Sequence, residues 1–390
     1  MPVISRIAEF AAELAAWRQD FHAHPELAFE EHRTSRLVAE RLERFGITVH
    51  RGIGGTGLVG VLKGRGAGTR SIGLRADMDA LPMQETGDVG YRSLQDGRMH
   101  ACGHDGHTVM LLGAARYLAE TRSFAGTVHF IFQPAEEGVR GARAMMEDGL
   151  FDRFGCDAIY AAHTDPLLDL GTITAVAGPV MAAADRMTIR IHGKGGHAAR
   201  PHHAIDPVLV GSHIVVALQS IVSRRTNALD AAVVSVSTFN SGSAMNVIPE
   251  TAALTGTVRT LRPETQDEVE RLIRHIVRMT AETHGAAAEV EYLRGAPPTI
   301  NTMHEADCAA RAAASVVGAE HVKTDWPPSM GAEDFAFMLQ VRPGAYVKLG
   351  QRACARSAVA LHNQAFDFND ALTPIGASYF ARLVEQELPL

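Results

Sequence analysis

Nine residues, HACGHDGHT at 100–108, hold three histidines, a cysteine and an aspartate. Cys102 and His104 stand two apart in a glycine-bearing loop that leads into a helical pattern. A thiolate and an imidazole are good ligands for zinc-like ions. The same stretch also reads as a plain helix start, with Asp105 or Thr108 capping and the histidines bonded locally. In a chain with 19 histidines among 390 residues, this stretch alone leaves the two readings level.

Three further segments bear on the choice. In FQPAEEG, Glu136 and Glu137 follow an apolar run and a proline. They read either as a solvated turn or as the C-terminal end of a parallel-type strand, where α/β sheets place their ligands. Adjacent acids at such a place can divide labour, one coordinating metal and the other serving as general base. In AAHTDP, His163 ends another apolar run, and in LHNQAFDF, His362 follows SAVA. Each of these alone would read as a satisfied core histidine. Together the four segments offer Cys102, His104, Glu137, His163 and His362. Five ligands with an acid to spare exceed the needs of one tetrahedral ion and point to two divalent ions sharing a bridge.

The elements around these residues read as α/β. Helical patterns cover ISRIAEFAAELAAWRQDF, TSRLVAERLERFG (capped by Thr34 or Ser35 and stopped by Gly46) and DGHTVMLLGAARYLAET. Strand patterns cover SIGLRADMDALP, which starts as a buried strand and breaks at Pro82, GTVHFIFQP, ended by Pro134, and CDAIYAAHT. The alternation predicts a mostly parallel central sheet covered on both faces. From about residue 183 the pattern changes. DRMTIRIHG, AAVVSVSTFNSG and ETAALTGTVRTL alternate, with helices near 206–223 and 264–284 and a last strand near 287–293. That order predicts a small antiparallel sheet with helices on one face. The chain is therefore read as a larger domain, 1–182 and 298–390, with a smaller one, 183–297, inserted into it. GIGGTG at 52–57 fits a dinucleotide-binding pattern, but a strand follows it where a helix is required, so it reads as a turn between two strands.

Composition narrows the classes. The 37 basic and 44 acidic residues give a net charge of −7, which offers nucleic acid no attraction. No run approaches 18 uninterrupted apolar residues, so no membrane span is expected. The N-terminus reads as an amphipathic helix, not a leader. Four scattered cysteines, Cys102, Cys156, Cys308 and Cys354, suit thiols of a reducing, cytoplasmic compartment.

RADMDALPMQE, HACGHDGHT, QPAEEG, HGKGGHAARPH, NVIPETAALTGTVRT, GAEDFA and LHNQAFDF come in an order that closely resembles the amidohydrolase branch of the aminoacylase and glutamate-carboxypeptidase superfamily. The resemblance begins at RQDFHAHPELAFEE and runs nearly to the end of the chain. It implies a di-metal exopeptidase-like catalytic domain carrying a ferredoxin-like α+β satellite that serves as lid or dimerisation domain. By motif position the ligands would be Cys102, bridging, with His104, Glu137, His163 and His362. The ions would be two of Zn, Mn, Co or Ni. Glu136 falls on the general base and Asp79 on the acid that orients a ligand or tunes the base, with Asp77 its rival. The H-x-D ligand histidine of the wider superfamily is missing, which places the chain in the cysteine-using branch. His197 would stabilise the developing oxyanion, Asn246 and Arg259 would hold the substrate carboxylate, and Glu333 and Asp334 would lie by the substrate. Read without the resemblance, His197 is a loop histidine and Arg259 a surface strand arginine.

The reaction so implied is hydrolysis of the amide of an N-acyl-L-amino acid, hippurate-like or N-acetyl, in a homodimer or a tetramer of dimers. A metal-dependent dipeptidase or carboxypeptidase is the alternative. A cysteine hydrolase built on Cys102 and a non-catalytic metal- or ligand-binding relative are the more distant ones. The last has no use for Glu136 beside Glu137.

Overall fold

The computed structural model describes residues 3–390. The chain forms two compact units, one comprising the residues up to Gly178 with Ile300–Pro327 and Asp334–Leu390, the other Pro179–Thr299 with Pro328–Glu333.

The first unit is framed by an eight-stranded mixed sheet. In chain order its first strands are β1 (Thr48–Ile53), β2 (Gly57–Lys63), β3 (Gly66–Asp77), β4 (Ala125–Gln133), β5 (Ala158–Asp169) and β6 (Ile173–Thr174). The spatial order is β1, β2, β4, β3, β5, Gly344–Arg352, β6 and Val322–Lys323. β4, β3, β5 and Gly344–Arg352 run parallel to one another. The hairpin β1–β2 is antiparallel and joins β4 antiparallel. Ile72–Asp77 and Val128–Gln133 are buried throughout, as expected of strands covered on both faces. GIGGTG is the β1–β2 turn, with Gly52, Gly54 and Gly55 all at positive φ. A Cβ on Gly54 would come within 2.6 Å of Met145 N.

The N-terminal helical pattern is split at Phe10 into α1 (Ser5–Glu9) and α2 (Ala11–Ala23). Helix α3 (His32–Arg44) starts before its predicted cap. Thr34 lies inside it, and the capping acceptor is the Glu26 carboxylate, 2.9 Å from Arg33 N and 2.8 Å from Thr34 N. A longer acid reaching back from the preceding loop has replaced the local hydroxyl. Gly46, at φ +76°, follows the end of α3 as expected.

Helix α4 (His104–Thr121) is entered through Gly103 at φ +86° with no side-chain cap. Asp105 and Thr108 do other work there. Asp105 Oδ2 sits 2.9 Å from His22 Nδ1, and Thr108 Oγ1 donates to Asp77 O at 2.9 Å. Gly106 is needed because a Cβ would stand 2.2 Å from the Phe368 ring. The helix Thr373–Glu387 packs against α4 and against Met303–Val317, and their apolar residues form the main core.

The second unit is a four-stranded antiparallel sheet in the order Ala232–Ser241, Thr251–Thr260, Asp185–His192, Ala287–Arg294. Helices Pro207–Ser220 and Pro263–Thr283 pack against it. Met187, Ile189 and Ile191 meet Val210, Ile214, Val269 and Ile273 in its core, while Arg190 is exposed. The strand–helix–strand–strand–helix–strand order with this pairing is ferredoxin-like. Residues Pro207–Arg225 are long and apolar enough, by length and composition, to cross a membrane. Val210, Ile214 and Leu218 are buried in the core of this unit.

Candidate metal centre

Three neighbouring parallel strands, β4, β3 and β5, deliver carboxylates and a histidine to one end of the sheet. β3 ends at Asp77, with Asp79 just beyond it. β4 ends at Gln133, and Pro134 and Ala135 lead to Glu136 and Glu137. β5 carries His163. The loop before α4 brings Cys102, and the first residue of α4 is His104. His362 lies on a later loop, at φ +60°, and its backbone N donates to Ala101 O at 2.8 Å. Ligands gathered at the carboxyl ends of parallel strands are the general pattern of such sheets.

Cys102, His104 and His163 offer ligand atoms within 4.8 Å of one another, and so do Cys102, Glu137 and His362. The two groups share the Cys102 sulfur. A third group joins His104 to Glu136 and Glu137. Cys102 Sγ is 3.4 Å from His163 Nε2, and His362 Nε2 is 3.4 Å from Glu137 Oε1.

Second contacts aim the ring nitrogens. His104 Nδ1 is 3.2 Å from Asp79 Oδ1, and the other oxygen of Asp79 accepts from Glu137 N at 3.0 Å. His163 Nδ1 donates to Thr164 O at 2.6 Å. Both rings therefore turn an Nε2 lone pair inward, the arrangement in which a metal-bound histidine is held by a carboxylate or carbonyl behind it. His104 Nε2 is buried without a hydrogen bond, and Glu137 Oε1 has His362 Nε2 at 3.4 Å and His104 Nε2 at 4.0 Å beside it. A buried polar atom without a hydrogen bond costs about 1–3 kcal/mol, so the His104 Nε2 lone pair beside a thiol and a carboxylate fits a cation-binding role.

The cluster is charged accordingly. Cys102 and Glu137 draw His362 up to about 10. Burial pushes the Cys102 thiol up and holds His163 well below the usual imidazole range. Asp77 and Cys102 hold His104 well above that range, so of the three only His163 stands as the neutral imidazole that binds metal.

Asp77 and Asp79 take different partners. Asp79 touches His104 and Glu137 as described. Asp77 accepts from Arg75 Nη1 at 2.7 Å, lies 2.6 Å from His107 Nδ1 and stays 3.7 Å from His104 Nε2. His107 Nε2 in turn accepts from Thr164 N at 2.9 Å, bracing the residue after His163.

The residues expected around the substrate carboxylate and oxyanion belong to the second unit. His197 pairs with Val247 on a short antiparallel ladder, and Ala198 N donates to Asn246 O at 3.1 Å. The side chains of His197 and Asn246 are exposed. Arg259 is half-buried and donates to Thr257 Oγ1 and Val258 O.

A family model described as peptidase family M20/M25/M40 matches residues 73–386. The chain belongs to this family. Over 383 residues the M20 chain is 41% identical to the hippurate hydrolase of Campylobacter jejuni, covering 98% of both. It is 39% identical to the N-acetylcysteine deacetylase of Bacillus subtilis, covering 96% of each. A solved Bacillus subtilis protein, described as a dinuclear metal binding peptidase of the M20 family, superimposes with a TM-score of 0.86. That protein is 35% identical, with 98% of this chain and 99% of the other covered. The M20 chain is a metal-dependent amidohydrolase of α/β fold.

Two residues of this M20 chain have places that the sequence reading missed. Asp334 is fully buried, not laid open to a substrate. It accepts from Gln133 Nε2 at 2.6 Å and Ala142 N at 2.9 Å, and its own backbone N donates to Glu136 Oε1 at 3.4 Å. Glu31, in the HPELAFEE stretch, is also fully buried and bonds to Ala135 N. Neither position stands out in the sequence, because Glu31 sits among Glu30, His32 and Arg33 and Asp334 beside Glu333.

Proposed function

We propose that the protein hydrolyses the amide bond of N-acyl-L-amino acids of the hippurate or N-acetyl type. Its two divalent ions would be held by Cys102, His104, Glu137, His163 and His362, with the Cys102 sulfur common to both. The convergence of these ligand atoms on the Cys102 sulfur, with His104 Nε2 buried there and without a hydrogen bond, carries this reading. The relatives named for hippurate hydrolysis and N-acetylcysteine deacetylation support the substrate class.

The ions, when bound, would supply Lewis-acid activation of water and of the amide carbonyl. Glu136, the acid next to the ligand Glu137, takes the proton of the attacking water on its carboxylate and returns it to the leaving nitrogen. Asp334 N holds one Glu136 oxygen, and Asp79 aims His104 while pinning the Glu137 backbone. His197 stabilises the oxyanion as it develops. Asn246 and Arg259 hold the substrate carboxylate, for which Arg259 must exchange its bonds to Thr257 and Val258. An amino-acid amide, lacking that carboxylate, should gain least from Arg259, and equal losses on acid and amide in R259A would end this role.

The central test is Glu136→Gln. It should keep the metal and the fold and lose about 10²–10⁴-fold in kcat, the usual worth of a positioned general base. Metal loss at Glu136→Gln with retention at Glu137→Gln would reverse the two roles. We also propose a homodimer, supported by exposed Leu209 and Val216 on one helix. A sedimentation mass of one chain would exclude it.

A further inference from the structure

The loop bearing Glu136 is held in a conformation it would not choose. Ala135, immediately before the acid, sits at φ +52°, and Val139, just after the pair, at φ +55°. A non-glycine residue there costs of order 1–3 kcal/mol and persists only where its surroundings over-determine it. Ala135 is fastened at both its N–H and its carbonyl. Its carbonyl accepts from Gly141 N at 3.1 Å. Its N–H donates to Glu31 Oε1 at 2.9 Å, and the other Glu31 oxygen accepts a short hydrogen bond from the Thr56 hydroxyl. Glu31 is the last residue before α3, and Thr56 lies in the β1–β2 turn. A buried acid, itself bonded by a hydroxyl from another element, thus holds the residue just before Glu136.

From this geometry we infer that Glu31, braced by Thr56, is a positioning residue for the general base. It holds the strained Ala135 peptide so that the Glu136 carboxylate keeps its aim. The inference rests on the reading of Glu136 given above. Burial pushes Glu31 up to about 7, and its two oxygens face Ala135 N and the Thr56 hydroxyl. Glutamine reproduces that pattern. Its carbonyl accepts from Ala135 N, and its amide donates to Thr56 Oγ1.

The test measures kcat, KM and metal per chain on the metal-loaded enzyme with N-benzoylglycine, for Glu31→Ala, Glu31→Gln, Thr56→Val and Glu136→Gln. Glu31→Ala should lower kcat about 10–100-fold, the scale of a misplaced catalytic group. KM should stay within about twofold and metal per chain unchanged, because the ligand atoms are untouched. Glu31→Gln should restore most of that loss. Thr56→Val should shift kcat the same way by a smaller factor, and it carries the test if Glu31→Ala fails to fold. Unchanged kcat in both Glu31→Ala and Thr56→Val overturns the inference. So does a kcat loss that tracks metal loss, or a Glu31→Gln as impaired as Glu31→Ala. If Glu136→Gln is itself active, the base reading fails. If Glu136→Gln is inactive and Glu31→Ala is not, only the positioning role falls.

Discussion

Around Cys102 and around Cys308 the first unit gathers the same three kinds of side chain, histidine, thiol and carboxylate. His304, Cys308 and Glu387 also have ligand atoms within 4.8 Å of one another. There the protein already supplies the partners. Arg311 Nη2 is 3.0 Å from the Cys308 sulfur, and His304 Nε2 is 3.6 Å from it. Glu387 Oε2 accepts from Arg70 Nη2 at 2.6 Å and from Tyr160 OH at 3.0 Å. None of these side chains is among the described residues' buried polar groups left without a hydrogen bond. Burial pushes the Cys308 thiol up to about 11, as it also pushes up the Cys102 thiol. Among the described residues no arginine bonds the Cys102 sulfur, and His104 Nε2 beside it is buried without a hydrogen bond. Proximity of ligand types is therefore not enough. What marks the Cys102 cluster is a ligand lone pair, on His104 Nε2, that the fold buries and leaves without a hydrogen bond.

The comparison can be broken most directly at Cys102. Cys102→Ser replaces a soft ligand shared by both groups with a poor one. Metal per chain and activity should fall together, to near background. Full metal by elemental analysis with a near-normal rate would remove Cys102 from the ligands and equate the two clusters. A smaller effect is expected at Asp79, whose oxygens touch His104 Nδ1 and Glu137 N. Asp79→Asn should weaken metal affinity by about 10–100-fold, the usual cost of losing the group behind a ligand. Competition with a chelator measures this, and unchanged affinity would mean that Asp77, despite its distance, does the aiming. The smallest effect is expected at the second cluster. Cys308→Ser should leave metal per chain and kcat as they are and cost roughly 1 kcal/mol of stability, the typical size for a point change. A drop in metal count for this variant would show that the satisfied cluster binds metal after all.

Much of this protein was legible locally. Apolar periodicity marked α4, β4, β5 and the alternating strands of the second unit, because burial on one face or both imposes a repeat on the sequence itself. The GIGGTG turn was readable because the strand after it excludes a dinucleotide site. The ligand types were readable too, since thiol, imidazole and carboxylate chemistry belongs to the residue wherever it lies. Local rules failed where a remote partner outcompeted a near one. Glu26 took over the cap of α3, and His22 drew Asp105 away from capping α4.

The sequence by itself determined which side chains could bind metal and at which strand ends they would appear. It also determined, through the paired acids, that one carboxylate could be spared from coordination. Only the tertiary structure decided which of those groups lack partners. That depends on residues far apart in the chain. Glu31 reaches Ala135, Asp334 reaches Gln133, and Arg70 reaches Glu387, across 104, 201 and 317 positions. A buried polar atom's free energy is set by whether such a partner arrives, and no spacing within a motif encodes that. The sequence could thus name Cys102 and Cys308 alike as thiols, and only their surroundings made one a candidate metal ligand and the other a satisfied core residue.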